Sequence, residues 1–204
     1  MYKKKPLFVA LALLSGLAGF TQGTAGYSIV NRAFTVDGST GIAHMNAAEG
    51  AGIAWIKSRT FTGGTIEFDV RGKDVLQQSF VGMAFHGVND STYEVVYFRP
   101  FNFRSADPVR KGHAVQYIAE PQFDWPVLRE KYPNKYEQPV SPVPDPNEWF
   151  HVKVVVTKED IRVYVNGNEQ PSLVVAPLVH TGGQQIGYWV GNGSEGEWKN
   201  LKIE

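Results

Sequence analysis

From Ser79 to Asn102 the chain reads SFVGMAFHGVNDSTYEVVYFRPFN, two alternating runs joined by the polar turn Asn89-Asp90-Ser91. Side chains that alternate with a period of two leave opposite faces of a strand, and two such runs around a short polar turn make a hairpin. Closing the turn on Asp90 sets His86 opposite Glu94, Ala84 opposite Val96 and Gly82 opposite Phe98, all on one side. Val81, Met83, Phe85, Val95 and Tyr97 take the other side, an apolar set that needs a core. A lone hairpin is at best marginally stable in water. The chain must therefore supply further strands and a second layer, and the polar side of the hairpin is where function is expected.

The remaining sequence supplies those strands. Tyr27 to Val36 and Ala51 to Ser58 are short β-prone runs separated by the turn-rich GSTGIAHMNAAEG. In Thr65–Arg71, Ile66, Phe68 and Val70 alternate with Glu67, Asp69 and Arg71. His113–Ala119, Trp149–Thr157, Ile161–Gly167, Gln184–Val190 and Glu197–Ile203 follow. Many short strands with Gly-rich turns and almost no helical periodicity predict an all-β antiparallel sandwich.

The first 25 residues read as a secretory signal peptide. Met1–Lys5 is basic, Pro6–Phe20 is apolar and rich in Leu and Ala, and Thr21–Gly26 is small, with Ala25 the expected last residue before cleavage. The apolar run is too short for a transmembrane span. Residues 26–204 are then expected to form one domain in a secreted or periplasmic protein, with no membrane partner once the leader is removed. The absence of Cys excludes thiol catalysis and thiolate metal sites, and the zero net charge argues against a nucleic-acid partner.

One region breaks the strand rhythm. Glu120 to Glu148 holds seven of the chain's twelve prolines together with Trp125, Tyr132 and Tyr136. Asp124 as a cap and Pro126 in a first turn predict one short helix over Asp124–Lys131. A loop this long inside a compact domain is usually functional or disordered, and its aromatics argue for order. It is expected to form a flap beside the site, with Trp125 and Tyr132 over or beside the binding face.

Candidate chemistry comes from faces rather than short motifs. Gly191–Gly196 spells a dinucleotide G-x-G-x-x-G, but with eight residues left no βαβ unit fits, so a turn is predicted. Zinc-protease and nucleophile-elbow motifs do not occur. Glu67 and Asp69 are the nearest carboxyl pair on one face, which an ordinary solvated face explains equally well. Phe150, Val152, Val154 and Val156 point inward, so Trp149, His151 and Lys153 share the opposite face; Trp189 likewise points away from Ile186, Tyr188 and Val190. Joined to the hairpin, one surface would carry His86, Glu94, Gln116, Trp149, His151, Lys153 and Trp189. Aromatic platforms beside hydrogen-bonding groups suit sugars, whose C–H faces stack on rings while hydroxyls need partners.

The segments GGTIEFDVR, VGMAFHG, STYEVVYFRP, EWFHVKVVV, IRVYVNG, QQIGYWVGNG and EWKNLKI together resemble the concanavalin A-like lectin/glucanase superfamily. Their order is similar to its bacterial 3-keto-disaccharide hydrolase-like domains. The resemblance implies a jelly roll whose concave face binds carbohydrate. It places Glu94 where those domains have a Glu and His86 where they often have an Arg. The Glu-x-Asp-x-x-Glu strand of the laminarinase-like branch is missing here.

Two functions stay open. As an enzyme, the protein would cleave a glycosidic or oxidised (3-keto) glycosidic bond, with Glu94 as acid/base and His86 as its partner. As a non-catalytic module, it would bind an oligo- or polysaccharide on Trp149 and Trp189. Arg99, Arg104, Arg110, Lys111 and His113 face one acid, Asp107, and predict a cationic patch. Within it the planar fork of Arg99 would grip a carboxylate and favour acidic or oxidised sugars. No cofactor is expected. A structural Ca²⁺ is compatible with a jelly roll, yet no loop concentrates enough oxygen ligands to identify a site.

Overall fold

The computed structural model describes residues 23–180 and 182–204. Its elements run in chain order β1 (Tyr27–Val30), β2 (Phe34–Val36), β3 (Ala43–Met45), β4 (Gly52–Ile56), β5 (Gly64–Arg71), β6 (Val81–Asn89) and β7 (Thr92–Phe98). Two short helices follow, α1 (Pro100–Phe103) and α2 (Pro108–Gly112), then β8 (Val115–Glu120), α3 (Trp125–Lys131) and β9 (Glu137–Gln138). The chain closes with β10 (Phe150–Val156), β11 (Ile161–Val165), β12 (Leu173–Val175), β13 (Gln185–Val190) and β14 (Gly196–Ile203). The strands make two antiparallel seven-stranded sheets, a front sheet ordered β1-β4-β13-β6-β7-β8-β9 and a back sheet ordered β12-β11-β10-β5-β14-β3-β2. This is the expected all-β sandwich. No helix among the described residues is long and apolar enough to cross a membrane. The leader expected over residues 1–25 lies almost entirely outside the described residues.

The core lies between the sheets. In the back sheet Ile66, Phe68 and Val70 of β5 and Phe150, Val152 and Val154 of β10 are buried, while Glu67, Asp69, His151 and Lys153 alternate outward. Phe98 of the front sheet meets Phe150 edge-on at 5.1 Å, and Tyr188 packs on Trp198 at 5.1 Å. Alternation thus orients these strands as expected. The predicted helix also forms, with Asp124 accepting from the Trp125 N–H and Pro126 in the first turn. Gly191–Gly196 is a turn between β13 and β14.

The central hairpin differs from expectation by one residue. Phe85, not His86, is the partner of Glu94, followed by Ala84↔Val95, Met83↔Val96, Gly82↔Tyr97 and Val81↔Phe98. A bulge between Phe85 and Asn89, with His86 in the left-handed region at φ 49°, takes up two extra residues, since residues 86–88 stand against Tyr93 alone. The pairing re-forms at Asn89↔Thr92. A one-residue slip turns every side chain of the strand over. Val81, Met83 and Phe85 therefore point inward as expected, but so do Glu94, Val96 and Phe98, while Val95 and Tyr97 face outward.

The run Tyr27–Val36 is also two strands rather than one. Asn31, at φ 52°, breaks it and donates from Nδ2 to the carbonyls of Glu49 and Ala51. β1 then joins the front sheet and β2 the back sheet. β3 lies in the turn-rich segment GSTGIAHMNAAEG, and β12 lies between two of the predicted strands.

Candidate functional site

The outer side of the front sheet carries an aromatic face. Strand pairing sets Trp189, Gly82, Tyr97, Gln116 and Glu137 in one row, and Trp55, Gly187, Ala84, Val95 and Ile118 in the next. Tyr93 and Glu120 are partners beyond them. Tyr97 and Trp189 have ring centroids 5.0 Å apart; Trp55 meets Tyr93 edge-on at 5.8 Å. The Trp55 indole lies over Gly87, where a Cβ would stand 2.7 Å from Cη2, and donates its N–H to Asp90 Oδ1 at 2.8 Å. Of this quartet the sequence reading identified only Trp189. Trp55 alternates within its strand and was within reach of the same reasoning; Tyr97 was turned inward by the register slip.

The flap borders this face, as expected for Trp125. Leu128 anchors α3 in the interior. Arg129 donates from Nε and Nη2 to the two oxygens of Glu137, each at 2.8 Å, and lies over the Trp125 ring at 4.9 Å. Trp125 remains 44 % exposed. Tyr132 does not join the face. It packs on Tyr136 at 5.7 Å, and Tyr136 belongs with Tyr117 on the inner side.

Arg99 is not a solvent-facing cation. It is 4 % exposed, donates from Nη2 to the Tyr97 hydroxyl at 2.6 Å and to Gln116 Oε1, and from Nη1 to the His113 carbonyl at 3.0 Å. The Phe80 and Tyr97 rings flank the guanidinium, and Glu137 stands 3.5 Å away. Burial pushes the Tyr97 hydroxyl up to about 12 and lowers Arg99 and His113. The expected cationic patch is dispersed for the same reason: chain folding gives Arg99, Arg104, Arg110 and His113 local partners. Arg104 pairs with Asp145 at 3.0 Å, and Arg110 reaches Asn102 and the Phe101 carbonyl. Gln116 joins Arg99 in this cluster as an internal support, with its Nε2 lacking an acceptor among the described residues.

Carboxyl groups gather at the other end of the β7–β8 pair. Glu120 ends β8, half-buried; burial first, then the charge of Asp124, pushes its carboxyl up to about 7. Tyr93 is raised by burial and by Glu120, Asp124 and Asp90 around it. The indole N–H of Trp189, a residue 6 % exposed, is turned towards the Tyr93 hydroxyl but makes no hydrogen bond of good geometry. Sequence reasoning saw Glu120 only as the start of a loop and Asp124 only as a helix cap.

His86 and Glu94 do meet, but on the inner side. Glu94 is fully buried and its Oε1 lies 2.8 Å from His86 Nδ1, while Oε2 accepts from the Tyr117 hydroxyl at 2.6 Å. That hydroxyl in turn accepts from the Leu178 N–H at 3.2 Å, and burial with the adjacent Glu94 raises it strongly. The His86 ring stacks on Phe61 at 5.7 Å. The pair expected on the open face is thus a polar knot within the sandwich, placed there by the bulge.

Trp149, His151 and Lys153 belong to the back sheet and point away from the front one, so the single surface expected to unite them with Trp189 does not form. Trp149 lies between Arg71 at 4.9 Å and Lys199 at 4.3 Å. His151 Nδ1 is 2.8 Å from Asp69 Oδ1, which with Glu67 belongs to the same outer face. A solvent-open depression of about 470 Å³ lies here, lined by Glu67, His151, Lys153 and Tyr164. Another, of about 400 Å³, lies where Arg71 pairs with Glu197 and Lys73 with Glu195. Both are lined by charges that largely neutralise one another and neither presents stacked rings. Among the described residues no group of three His, Asp or Glu side chains is arranged to hold a metal ion.

No family model and no curated protein matches the sequence. Solved structures do match in fold. A carbohydrate-binding module from Bacillus subtilis superposes with a TM-score of 0.60 at 14 % identity, covering 86 % of this chain and 93 % of that one. A Bacillus subtilis protein described as having a galectin-like fold gives 0.56 at 12 % identity, covering 87 % and 88 %. A beta-1,3-glucanase from Mycobacterium marinum gives 0.50 at 13 % identity, covering 87 % and 91 %. At these identities the likeness is one of fold, and the fold is the concanavalin A-like jelly roll.

Proposed function

We propose that this protein binds a carbohydrate on the outer face of its front sheet, and that it does so outside the cytoplasm, after loss of the leader spelled by its first 25 residues. The observation that carries the reading is the exposed ring of Trp125 on the flap, beside a packed layer of Trp55, Tyr93, Tyr97 and Trp189, each 6 % exposed or less. Rings of this kind stack on sugar C–H faces, and adjacent carboxyl and indole groups pair with hydroxyls. The fold supports the reading, since a carbohydrate-binding module and a glucanase are built on it. Binding and cleavage make the same demand on the rings; cleavage of a plain or 3-keto glycosidic bond needs a proton donor as well.

The test is titration of the purified protein with neutral, amino, uronic and 3-keto oligosaccharides, followed by tryptophan fluorescence and calorimetry. Binding should appear for at least one class. Trp125→Ala, at an exposed ring, should weaken it about tenfold, equivalent to about 1.4 kcal/mol. Trp149→Ala on the opposite side should leave it unchanged. A panel with no binder, or binding that depends on Trp149, would overturn the reading.

A further inference from the structure

The helix that carries Trp125 is seven residues long, too short to persist in water on its own. Three contacts hold it in place. Asp124 caps its head by accepting from the Trp125 N–H, Leu128 is buried at 1 % exposure, and Arg129 reaches Glu137 on β9. The cap fixes the backbone and Leu128 the buried side. Neither fixes the Trp125 indole, which is 44 % exposed and can turn about its side-chain torsions unless something lies against it. Arg129 does lie against it. It stands one turn further along α3, at the spacing that brings two side chains together, with its guanidinium carbon 4.9 Å from the ring centroid.

Arg129 is itself held from below. Its Nε and Nη2 donate to the two oxygens of Glu137, each at 2.8 Å, a fork that allows one orientation of the guanidinium plane. Glu137 is 3 % exposed, is paired with Gln116 in the front sheet, and has His113 at 3.2 Å and Arg99 at 3.5 Å. A carboxylate with those neighbours does not depend on Arg129 for its own neutralisation. The consequence of the Arg129 contact therefore lies outward, on the flap. A rigid line of contacts runs from β9 through the guanidinium to an exposed ring, and a cation over one face of an indole is attracted by its π-electrons.

We infer that Arg129 is a positioning residue for sugar binding: it clamps the Trp125 indole on one face, so that the opposite face is presented to the ligand already ordered. The inference rests on the carbohydrate-binding reading above. Arg129 does not touch the sugar; it acts through the ring. A contact group ordered before binding spares the complex the entropy loss of ordering it on binding. Without the clamp, the sugar itself has to order the indole, and affinity falls.

The experiment titrates wild type, Arg129→Met, Trp125→Ala and the double variant with the panel oligosaccharide bound most tightly. Fluorine NMR spectra are recorded on each protein labelled with fluorotryptophan. The line lost in Trp125→Ala belongs to Trp125. In Arg129→Met that line should shift and narrow as the ring gains freedom. Affinity should fall about three- to fivefold. The fold should survive, because Glu137 keeps His113 and Arg99. In the Trp125→Ala background the same substitution should leave affinity unchanged, since its effect passes through the ring. Wild-type affinity in Arg129→Met, an unmoved Trp125 line, or an equal loss in both backgrounds would each overturn the inference and leave the binding reading in place. A panel with no binder would overturn the binding reading and this inference with it.

Discussion

Phe85 and Glu94 stand directly across from each other on β6 and β7, and both point into the sandwich. A carboxylate beside a phenyl ring in a core is tolerable only because His86 Nδ1 and the Tyr117 hydroxyl meet its two oxygens. Glu94→Ala removes the acceptor from both. Leaving a buried donor unsatisfied costs about 1–3 kcal/mol each, so urea unfolding should show a loss of that order, and sugar binding at the outer face should persist in the folded fraction.

Arg99 should behave as an internal support. Its removal takes a donor from Tyr97 and from Gln116, which keep the hydrogen bond between them, and Glu137 keeps Arg129. Arg99→Ala should therefore destabilise by about 1.5–3 kcal/mol, the range for hydrogen bonds to a charged group. Added salt should change ligand affinity little, because no exposed Arg99 is there to be screened. Steep salt dependence of binding that is lost in Arg99→Ala would contradict this placement.

Glu120 makes stability depend on pH in a definite sense. Its carboxyl is raised from the ordinary 4.5 to about 7 in the folded protein, so between those values the folded state holds more proton than the unfolded one. Stability must then fall as pH rises through that window and level off above it. The difference in melting temperature between wild type and Glu120→Gln isolates this effect. The substitution should be neutral near pH 4.5 and stabilising near pH 8; the opposite sign would mean that Glu120 is stabilised as an anion.

The pair His151 and Asp69 lies on the exposed back face. Exposed pairs of this kind contribute about 0–1 kcal/mol, so His151→Ala should change stability within that range. It should leave sugar binding untouched. Loss of binding would bring the back face into the site.

Phe98 bridges the sheets through Phe103 and Phe150. Phe98→Ala should cost about 3–5 kcal/mol. Calorimetry should register it as a fall in melting temperature with unchanged affinity in the folded protein.

Period-two alternation identified the sandwich, because which residues of one strand share a face is a local property of the extended backbone. It oriented β5, β10 and β13 correctly, placing Trp189 outward, and capping chemistry at Asp124 located α3. Three things were decided elsewhere. The bulge at His86 turned β7 over, exchanging Tyr97 and Val95 for Val96 and Glu94. The assignment of strands to sheets sent Trp149, His151 and Lys153 to the opposite side from Trp189. The burial of Arg99 depended on Tyr97, Gln116 and Glu137, which come from β7, β8 and β9. Each is a matter of non-local pairing. A strand's own sequence carries its alternation, but its register, its neighbours and the charges it meets are set by whichever other strands it pairs with once the two layers close on a common core.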